Sequence, residues 1–152
     1  MYDEVLKITV KNPQLEMEVL EILGELKLVS RLVAGCDLFA CFDSQGRVEG
    51  IACTKVSGED CLLLLVAVRE AVRGKGVGSA LVNHVLGYFS GHCENMYALA
   101  VGVEGFFDRF GFSRIERQDL PDAFLDAEEI RALIDQAMVT MVLPLPKKRL
   151  IN

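Results

Sequence analysis

The feature that most constrains this chain is a glycine-rich turn between an apolar strand and an amphipathic helix. An apolar run over 61–68 precedes the turn, and a helical pattern over 77–89 follows it. The first backbone N–H groups of a helix have no partner within the helix and carry the positive end of its dipole. Glycines at 74, 76 and 78 leave room beside those groups, because they carry no Cβ atom. The sequence therefore predicts a binding site for a phosphate or pyrophosphate group.

The spacing of the glycines distinguishes between the known phosphate-binding turns. The nucleotide-hydrolase loop G-x-x-x-x-G-K-[ST] is absent, because Lys75 is followed by Gly76. The dinucleotide fingerprint G-x-G-x-x-G fails as well, since Leu81 stands where the third glycine would be needed. The pattern that fits is [Q/R]-x-x-G-x-[G/A], which the sequence presents as Arg73-Gly74-Lys75-Gly76-Val77-Gly78.

That pattern resembles the acetyl-CoA pyrophosphate signature of the GNAT acyltransferases, and it lies in the same place, after a strand that ends Val66-Ala67-Val68. The resemblance implies that backbone N–H groups between Gly74 and Ser79 hold the pyrophosphate of acetyl-CoA. It also implies that the strand offers backbone groups to the pantetheine arm and that the N–H near Val66 polarises the acetyl carbonyl. The alternative to a phosphate site is a solvated tight turn with chance glycines, which the position after a strand and before a helix disfavours.

A second motif, Gly105 to Phe112, contains four phenylalanines. Three of them form one face of a short helix that Gly111 ends, which is typical of core packing. The segment also resembles the one that follows the fifth strand in GNAT proteins and flanks the pantetheine arm. The cofactor site implied by the two motifs comprises Val66, Ala67, Val68, Arg73, Gly74, Lys75, Gly76, Val77, Gly78, Ser79, Phe106 and Phe107.

The C-terminal part is similar to one GNAT subgroup. Asp119-Leu120-Pro121 and Thr140-Met141-Val142-Leu143 follow the aromatic segment as they do in N-acetylglutamate synthases and related amino-acid N-acetyltransferases. The resemblance implies an enzyme that moves an acetyl group from acetyl-CoA directly to the primary amine of a small acceptor, an amino acid in this subgroup. Two alternatives stay open: a CoA-binding regulatory module without turnover, and an enzyme that acetylates a protein.

The sequence does not identify a general base or a general acid. Many GNAT enzymes carry a glutamate on the fourth strand, where this chain has the apolar run Leu62 to Leu65. Glu59 and Asp60, just before it, are candidates for relaying a proton through water, although two solvated turn carboxylates are the simpler interpretation. Phe107 stands where many family members have a tyrosine that protonates the departing thiolate. The catalytic groups are therefore unassigned, apart from the backbone of Val66.

The acceptor's carboxylate has no evident partner. The amino-acid subgroup often has an arginine on the fourth strand, and this chain has Leu63-Leu64-Leu65 there. Arg31, Lys55 and Arg69 could each supply the positive charge, and the spacing selects none of them. We also expect Arg69 to add to the positive charge of the glycine turn, together with Arg73 and Lys75.

The order of elements predicts an α/β protein of one domain over residues 1–152. By the resemblance it has the GNAT (acyl-CoA N-acyltransferase) fold, a mixed and mostly antiparallel sheet of about six to seven strands flanked by helices. Residues 28–34 are ambiguous. Asn12 is a candidate cap for a first helix that begins at Pro13. The predicted strands cover 5–10, 37–42, 47–56, 61–68, 96–101, 112–116 and 138–143, and later helices cover 77–89, 104–110 and about 121–136.

Composition limits the partners. The formal charge of −6 argues against binding to nucleic acid, which needs a basic face. We expect no membrane association, because no apolar run reaches membrane-spanning length, and no signal peptide is evident. The five cysteines form no C-x-x-C pair and have no histidine at ligand spacing, so we expect buried thiols in a reducing cytoplasm and no bound metal. Family resemblance also allows a homodimer.

Overall fold

The computed structural model describes residues 4–9, 13–25, 36–100, 104–127, 130–131 and 139–146. Two three-residue 3-10 helices, Glu70–Val72 and Arg117–Asp119, were not predicted. The longer elements are β1 (Glu4–Ile8), α1 (Pro13–Glu25), β2 (Asp37–Phe42), β3 (Val48–Ser57), β4 (Asp60–Val68), α2 (Val77–Phe89), β5 (Asn95–Ala100), α3 (Glu104–Asp108), β6 (Ser113–Ile115), α4 (Asp122–Leu125) and β7 (Val139–Pro144).

The seven strands form one mixed sheet in the order β1-β2-β3-β4-β5-β7-β6. β4 and β5 pair in parallel, from Asp60 opposite Asn95 to Leu63 opposite Ala98, and α2 is the crossover between them. β1 and β2, β2 and β3, β5 and β7, and β6 and β7 are antiparallel pairs. The expected α/β class and the mixed, mostly antiparallel sheet flanked by helices are confirmed.

The chain divides into two compact units. The first contains Met1–Thr54 and Leu65–Tyr88, and the second contains Lys55–Leu64 and Phe89–Asn152. The assignment of residues 1–152 to a single domain stays a prediction.

In the first unit, α1 begins at Pro13, whose fixed φ and missing N–H suit the first helical position. Its inner face buries Val19, Ile22 and Leu23, which are at most 2% exposed. The β2–β3 hairpin turns at Asp43, whose Oδ1 accepts the N–H groups of Gln45 and Arg47, both at 2.9 Å. The Asp43 carboxylate thus satisfies backbone N–H groups of the turn, as aspartate commonly does at such positions.

Helix α2 packs closely on β3. Its buried side chains recur at helical spacing and include Val77, Leu81, Val82, Val85 and Phe89. The close approach depends on Gly50, because a Cβ atom there would lie 2.9 Å from Val77 Cγ1, 3.0 Å from the Ala67 carbonyl oxygen and 3.1 Å from Leu81 Cδ1. Glycine in a strand interior commonly marks such a contact.

The second unit is built around β5 and β7, which pair from Asn95 opposite Pro144 to Ala100 opposite Val139. Its core includes Met96, Ala98, Met141 and the fully buried Phe124. Phe107 and Phe112 are buried as well, so the aromatic segment that contains α3 contributes to this core.

The predicted helix over about 121–136 differs from the structure. α4 ends at Leu125, and the Ala127 N–H donates to the Phe124 carbonyl, a tighter i to i−3 bond than the α-helical one. Helical residues occur again at Ile130 and Arg131. Asn12, the ambiguous segment 28–34 and the predicted helix end at Gln136 lie outside the described residues.

None of the helices in the described ranges is long and apolar enough to cross a membrane.

Gly50→Ala should destabilise the protein by about 1–3 kcal/mol, because the added methyl overpacks the contact between β3 and α2. Thermal or denaturant unfolding measures this. Gly24→Ala is the matched control, since a Cβ at this position in α1 meets no atom within 4 Å. It should raise stability by up to about 1 kcal/mol, the usual helix-interior difference between the two residues. Equal effects of the two variants would contradict the packing argument.

Candidate functional site

The glycine turn is tied to the end of β4 by Arg73. The Arg73 side chain donates from Nε to the Val68 carbonyl oxygen at 3.1 Å. Its backbone N–H donates to the Glu70 carbonyl oxygen at 3.3 Å, which closes the 3-10 helix. Arg73 is exposed, so its guanidinium holds the turn while remaining at the surface.

Two of the three glycines are required by the backbone. Gly74 and Gly76 have φ angles of 81° and 87°, a left-handed conformation that other residues adopt at a cost. A Cβ atom at either position would meet no heavy atom within 4 Å. The protein itself therefore leaves open the space beside this backbone, as a ligand-binding turn requires.

The turn ends at a helix N-terminus with free donors. Gly76 is the N-cap of α2, because its carbonyl oxygen accepts the Ala80 N–H at 3.0 Å. The N–H groups of Val77, Gly78 and Ser79 therefore occupy the first three helical positions, which have no acceptor within the helix. Within the described parts of the chain, no hydrogen bond engages these three groups. They are the donors that an anion would meet, reinforced by the helix dipole.

The charge at the turn comes from Arg73 and Lys75, both exposed. Arg69 does not contribute, although the sequence suggested that it would. Its Nη1 lies 2.9 Å from Glu21 Oε2, and its Nη2 lies 3.8 Å from Glu18 Oε1. Two carboxylates therefore neutralise this guanidinium, and the expectation that it adds positive charge to the turn is wrong.

The strand before the turn presents no ionisable group next to Val66. Leu62, Leu63 and Leu64 are at most 4% exposed, so this stretch of β4 belongs to the apolar core. Ala67 is buried, whereas Val66 and Val68 are half-buried. The chemistry that β4 can offer near Val66 is therefore that of its backbone.

The two candidate carboxylates lie at the other end of β4. Asp60 is half-buried and accepts a hydrogen bond from Asn95 Nδ2 at 3.4 Å, and Glu59 is exposed. Asp60 and Val66 are six positions apart, which corresponds to about 20 Å along a strand. A general base must reach the proton directly or through one water. The role of Glu59 and Asp60 as proton relays stays a prediction.

Asp60 has electrostatic neighbours within the second unit. Burial raises the pKa of Tyr97, and the negative charges of Asp60 and Asp119 raise it further. Burial likewise raises the pKa of Cys93, with smaller contributions from Asp60 and Glu59. Both groups therefore stay protonated at neutral pH, and neither provides a base.

The aromatic residues of the predicted cofactor site lie in the second unit. Phe107 is 3% exposed and packs edge-on against Phe106 and Phe112, with ring centroids 5.2 and 5.3 Å away. Phe106 is half-buried and is covered by the Arg109 guanidinium at 5.3 Å. Phe107 is thus a packing residue, and Phe106 keeps part of its ring accessible.

Sequence reasoning missed two features of the site. Gly50 lies in an apolar strand pattern, where an isolated glycine signals a close approach by another element. Glu18 lies on the apolar face of α1, one residue from Val19, and a charged residue there signals a buried partner. That partner, Arg69, is distant in sequence, so its identity was not evident.

The thiols and candidate metal ligands do not form a site among the described residues. No group of three or more histidine, cysteine or carboxylate side chains there could hold a metal ion. The five cysteines form no disulfide; Cys36 is half-buried, and the buried ones are Cys41, Cys53, Cys61 and Cys93. Burial raises the pKa of the Cys53 thiol far above neutrality, which suppresses its reactivity.

Residues 34–114, just over half of the chain, match the profile of the acetyltransferase (GNAT) domain family. This region contains the whole glycine turn and the aromatic segment. Among curated proteins, none matches the chain in sequence.

Solved structures with the same fold include three acetyltransferases. N-acetylglutamate synthase from Neisseria gonorrhoeae, complexed with coenzyme A and N-acetyl-glutamate, superposes with a TM-score of 0.72 at 14% identity over 97% of this chain. This chain spans 36% of the length of that synthase. The ribosomal-protein-S18-alanine N-acetyltransferase from Escherichia coli has a TM-score of 0.69 at 15% identity, with 97% of each chain covered. GCN5 from Tetrahymena has a TM-score of 0.72 at 15% identity and covers 98% of this chain and 99% of its own.

Gly76→Val should abolish detectable binding of acetyl-CoA, because a branched side chain would enter the space beside the donor N–H groups. Calorimetric titration measures the affinity. Gly46→Val is the matched control, because Gly46 has a similar φ of 80° and equally open surroundings in the β2–β3 turn. Both variants should lose about 1–2 kcal/mol of stability to backbone strain. Normal binding by folded Gly76→Val protein would show that the turn does not hold the phosphate.

Proposed function

Because this chain belongs to the GNAT acetyltransferase family, we propose that it transfers the acetyl group of acetyl-CoA directly to the primary amine of a small acceptor, with an amino acid as the preferred class. Acetyl-CoA is the cosubstrate of the family. The observation that carries the proposal is the glycine turn with three free N–H groups at the start of α2. A non-acetylating CoA-binding module would share the turn and would lack turnover.

Cofactor binding follows from the geometry of the turn. The N–H groups of Val77, Gly78 and Ser79 would bind the pyrophosphate oxygens, and Arg73 and Lys75 would add charge at the surface. The backbone of Val66, Ala67 and Val68 would pair with the pantetheine arm. The contact of Phe106 and Phe107 with that arm, which the family resemblance implies, stays a prediction.

The reaction needs a neutral amine and a polarised carbonyl. The amine nitrogen attacks the thioester carbon, the carbon–sulfur bond breaks, and CoA leaves as a thiolate that takes up a proton. A backbone N–H near Val66 would stabilise the oxyanion, a role worth a few kcal/mol. Because the leucines of β4 supply no base, we infer that the amine proton leaves to solvent or that the acceptor binds in its neutral form.

Direct transfer is favoured over a covalent acyl-enzyme. Cys61 on β4 and Cys53 on β3 are at most 1% exposed. Neither thiol can therefore attack the thioester of a cosubstrate bound at the surface. His84 on α2 packs against Phe39 with ring centroids 5.7 Å apart, which occupies the imidazole in core packing. Burial of both thiols is the observation that argues against covalent catalysis by either of them.

The acceptor class rests on two supports of different kinds. Motif resemblance and the likeness to the N-acetylglutamate synthase domain favour an amino acid. The carboxylate of glutamate would need a cation, and Arg69 is engaged by Glu18 and Glu21. Lys55 is half-buried on β3, and Arg31 lies outside the described residues.

A peptide amine is the second candidate acceptor. The ribosomal-protein-S18-alanine N-acetyltransferase and this chain match over nearly their full lengths, whereas the synthase is much longer. GNAT acetyltransferases act on small-molecule or peptide acceptors, so both classes belong in a test. A cytoplasmic location, a homodimeric state and the absence of nucleic-acid binding stay predictions.

Wild-type protein should be stabilised by acetyl-CoA and should acetylate at least one amine. A ligand at about a hundred times its dissociation constant adds about 2.7 kcal/mol to stability, whereas NAD and ATP serve as controls that should add little. Mass spectrometry of a panel of amino acids, polyamines and alanine-initiated peptides then identifies the acceptor. Stabilisation by acetyl-CoA without any acetylated product would favour the non-acetylating module. Stabilisation by NAD or ATP alone would overturn the cofactor assignment.

Arg73→Ala should weaken acetyl-CoA binding by about tenfold, the usual loss for one charge-assisted phosphate contact, with little change in stability. Calorimetric titration measures the affinity. Arg47→Ala is the control, because Arg47 is an exposed arginine in the hairpin turn. Equal affinities for wild type and Arg73→Ala would remove Arg73 from the site.

No acetyl group should be found on the protein after incubation with acetyl-CoA alone, because the thiols on β3 and β4 are buried. Intact-mass measurement under conditions that preserve thioesters tests this. A stoichiometric gain of one acetyl group, lost on addition of the acceptor, would show a covalent intermediate instead.

A further inference from the structure

Arg69 occupies the junction between β4 and the glycine turn, and it is nine-tenths buried. Its backbone is held on both sides: the Arg69 N–H donates to the Glu49 carbonyl at 2.9 Å, and its own carbonyl accepts the Val72 N–H at 3.0 Å. The backbone of Arg69 is therefore hydrogen-bonded to β3 through its N–H group and to the 3-10 helix through its carbonyl group.

The Arg69 side chain closes a ring with the start of β3. Its Nε donates to the Val48 carbonyl oxygen at 2.6 Å. The Val48 N–H donates to Glu18 Oε1 at 3.2 Å, and Glu18 lies 3.8 Å from Arg69 Nη2. Both backbone groups of Val48 are thus held by one ion pair between β4 and α1. The bond from Nη1 to Glu21 Oε2 fixes the guanidinium plane further.

The turn is anchored at its far end by the same part of β3. Val77, the first residue of α2, is 2% exposed and faces Gly50, two residues after Val48. The segment from 70 to 76 therefore spans two anchors, Arg69 and Val77, that both contact the first three residues of β3. A shift at either anchor moves the donor N–H groups relative to β4.

We propose that Arg69 is a positioning residue for the cosubstrate. It does not touch acetyl-CoA. Its planar guanidinium is held between Val48 and two carboxylates of α1, and this fixes the direction of the backbone where β4 leads into the turn. Lysine cannot replace it, because one ammonium group cannot present donors in a fixed fork to Val48 on one element and Glu21 on another. This inference rests on the proposed function, since it concerns the affinity of the same site.

Acetyl-CoA affinity in Arg69→Lys, Arg69→Met and Glu18→Gln tests the inference, measured by calorimetric titration well below each melting temperature. The expected loss is roughly three- to thirty-fold, the usual range for residues that act through others. Val19→Ala is the matched control, because it truncates a buried side chain next to Glu18 and removes none of the polar groups around Arg69. It should lower the melting temperature while leaving the affinity within about twofold of wild type.

A second readout follows the turn directly. Amide hydrogen exchange at 74–79 in the free protein should be faster in Arg69→Lys than in wild type and unchanged in Val19→Ala. Wild-type affinity in folded Arg69→Lys and Glu18→Gln would overturn the inference, as would an equal loss of affinity in Val19→Ala. Should Arg69→Met not fold, the other two variants decide the result. Failure of wild-type protein to bind acetyl-CoA would overturn the proposed function instead.

Discussion

The close contact between the first turn of α2 and strand β3 is the constraint on which the candidate site depends. Gly50 has no side chain, and Val77 and Leu81 occupy the space that a methyl group would take. The packing therefore fixes the distance between the start of α2 and β3, and with it the positions of the first N–H groups of the helix. Packing density of this kind transmits small displacements rather than absorbing them. An anion site made of backbone donors needs that rigidity, because the donors have no side-chain freedom with which to adjust.

Charge placement is the second constraint, because the chain is acidic overall. Helix α1 contains Glu16, Glu18, Glu21 and Glu25 and no basic residue. Arg69 pairs with two of these carboxylates, Glu18 and Glu21, so its charge is engaged by the helix and not by the turn. Arg73 has a different position, exposed at the turn and bonded to the end of β4. Two arginines four residues apart thus have distinct roles: Arg69 is buried and pairs with α1, and Arg73 is exposed at the turn.

Local patterns predicted the elements well wherever one face is buried. α2 runs from Val77 to Phe89 as its apolar spacing indicates, and β4 follows its leucine run. The helix predicted over about 121–136 is interrupted after Leu125, where the Ala127 N–H bonds to the Phe124 carbonyl. The buried residues Phe124 and Ile130 lie on both sides of this break, so their apolar pattern does not reveal it. Of the candidate site, the glycine turn was evident from spacing. The pairing of Arg69 with Glu18 and Glu21 was not, because a contact across 48 to 51 positions leaves no local signal. Glu59 and Asp60 lie at the start of β4, where the sequence placed them.

The donors at the start of α2 are main-chain groups, and this has a consequence for how such a protein changes over time. Many binding sites recognise their ligand through side chains, so that one substitution can abolish binding. Here the candidate donors depend on two left-handed glycines and one helix boundary, so they do not depend on the chemistry of any side chain. Residues on other elements could then diverge without altering the donors that we propose for the phosphate. The same main-chain donors for the cosubstrate are thereby compatible with many different acceptor amines.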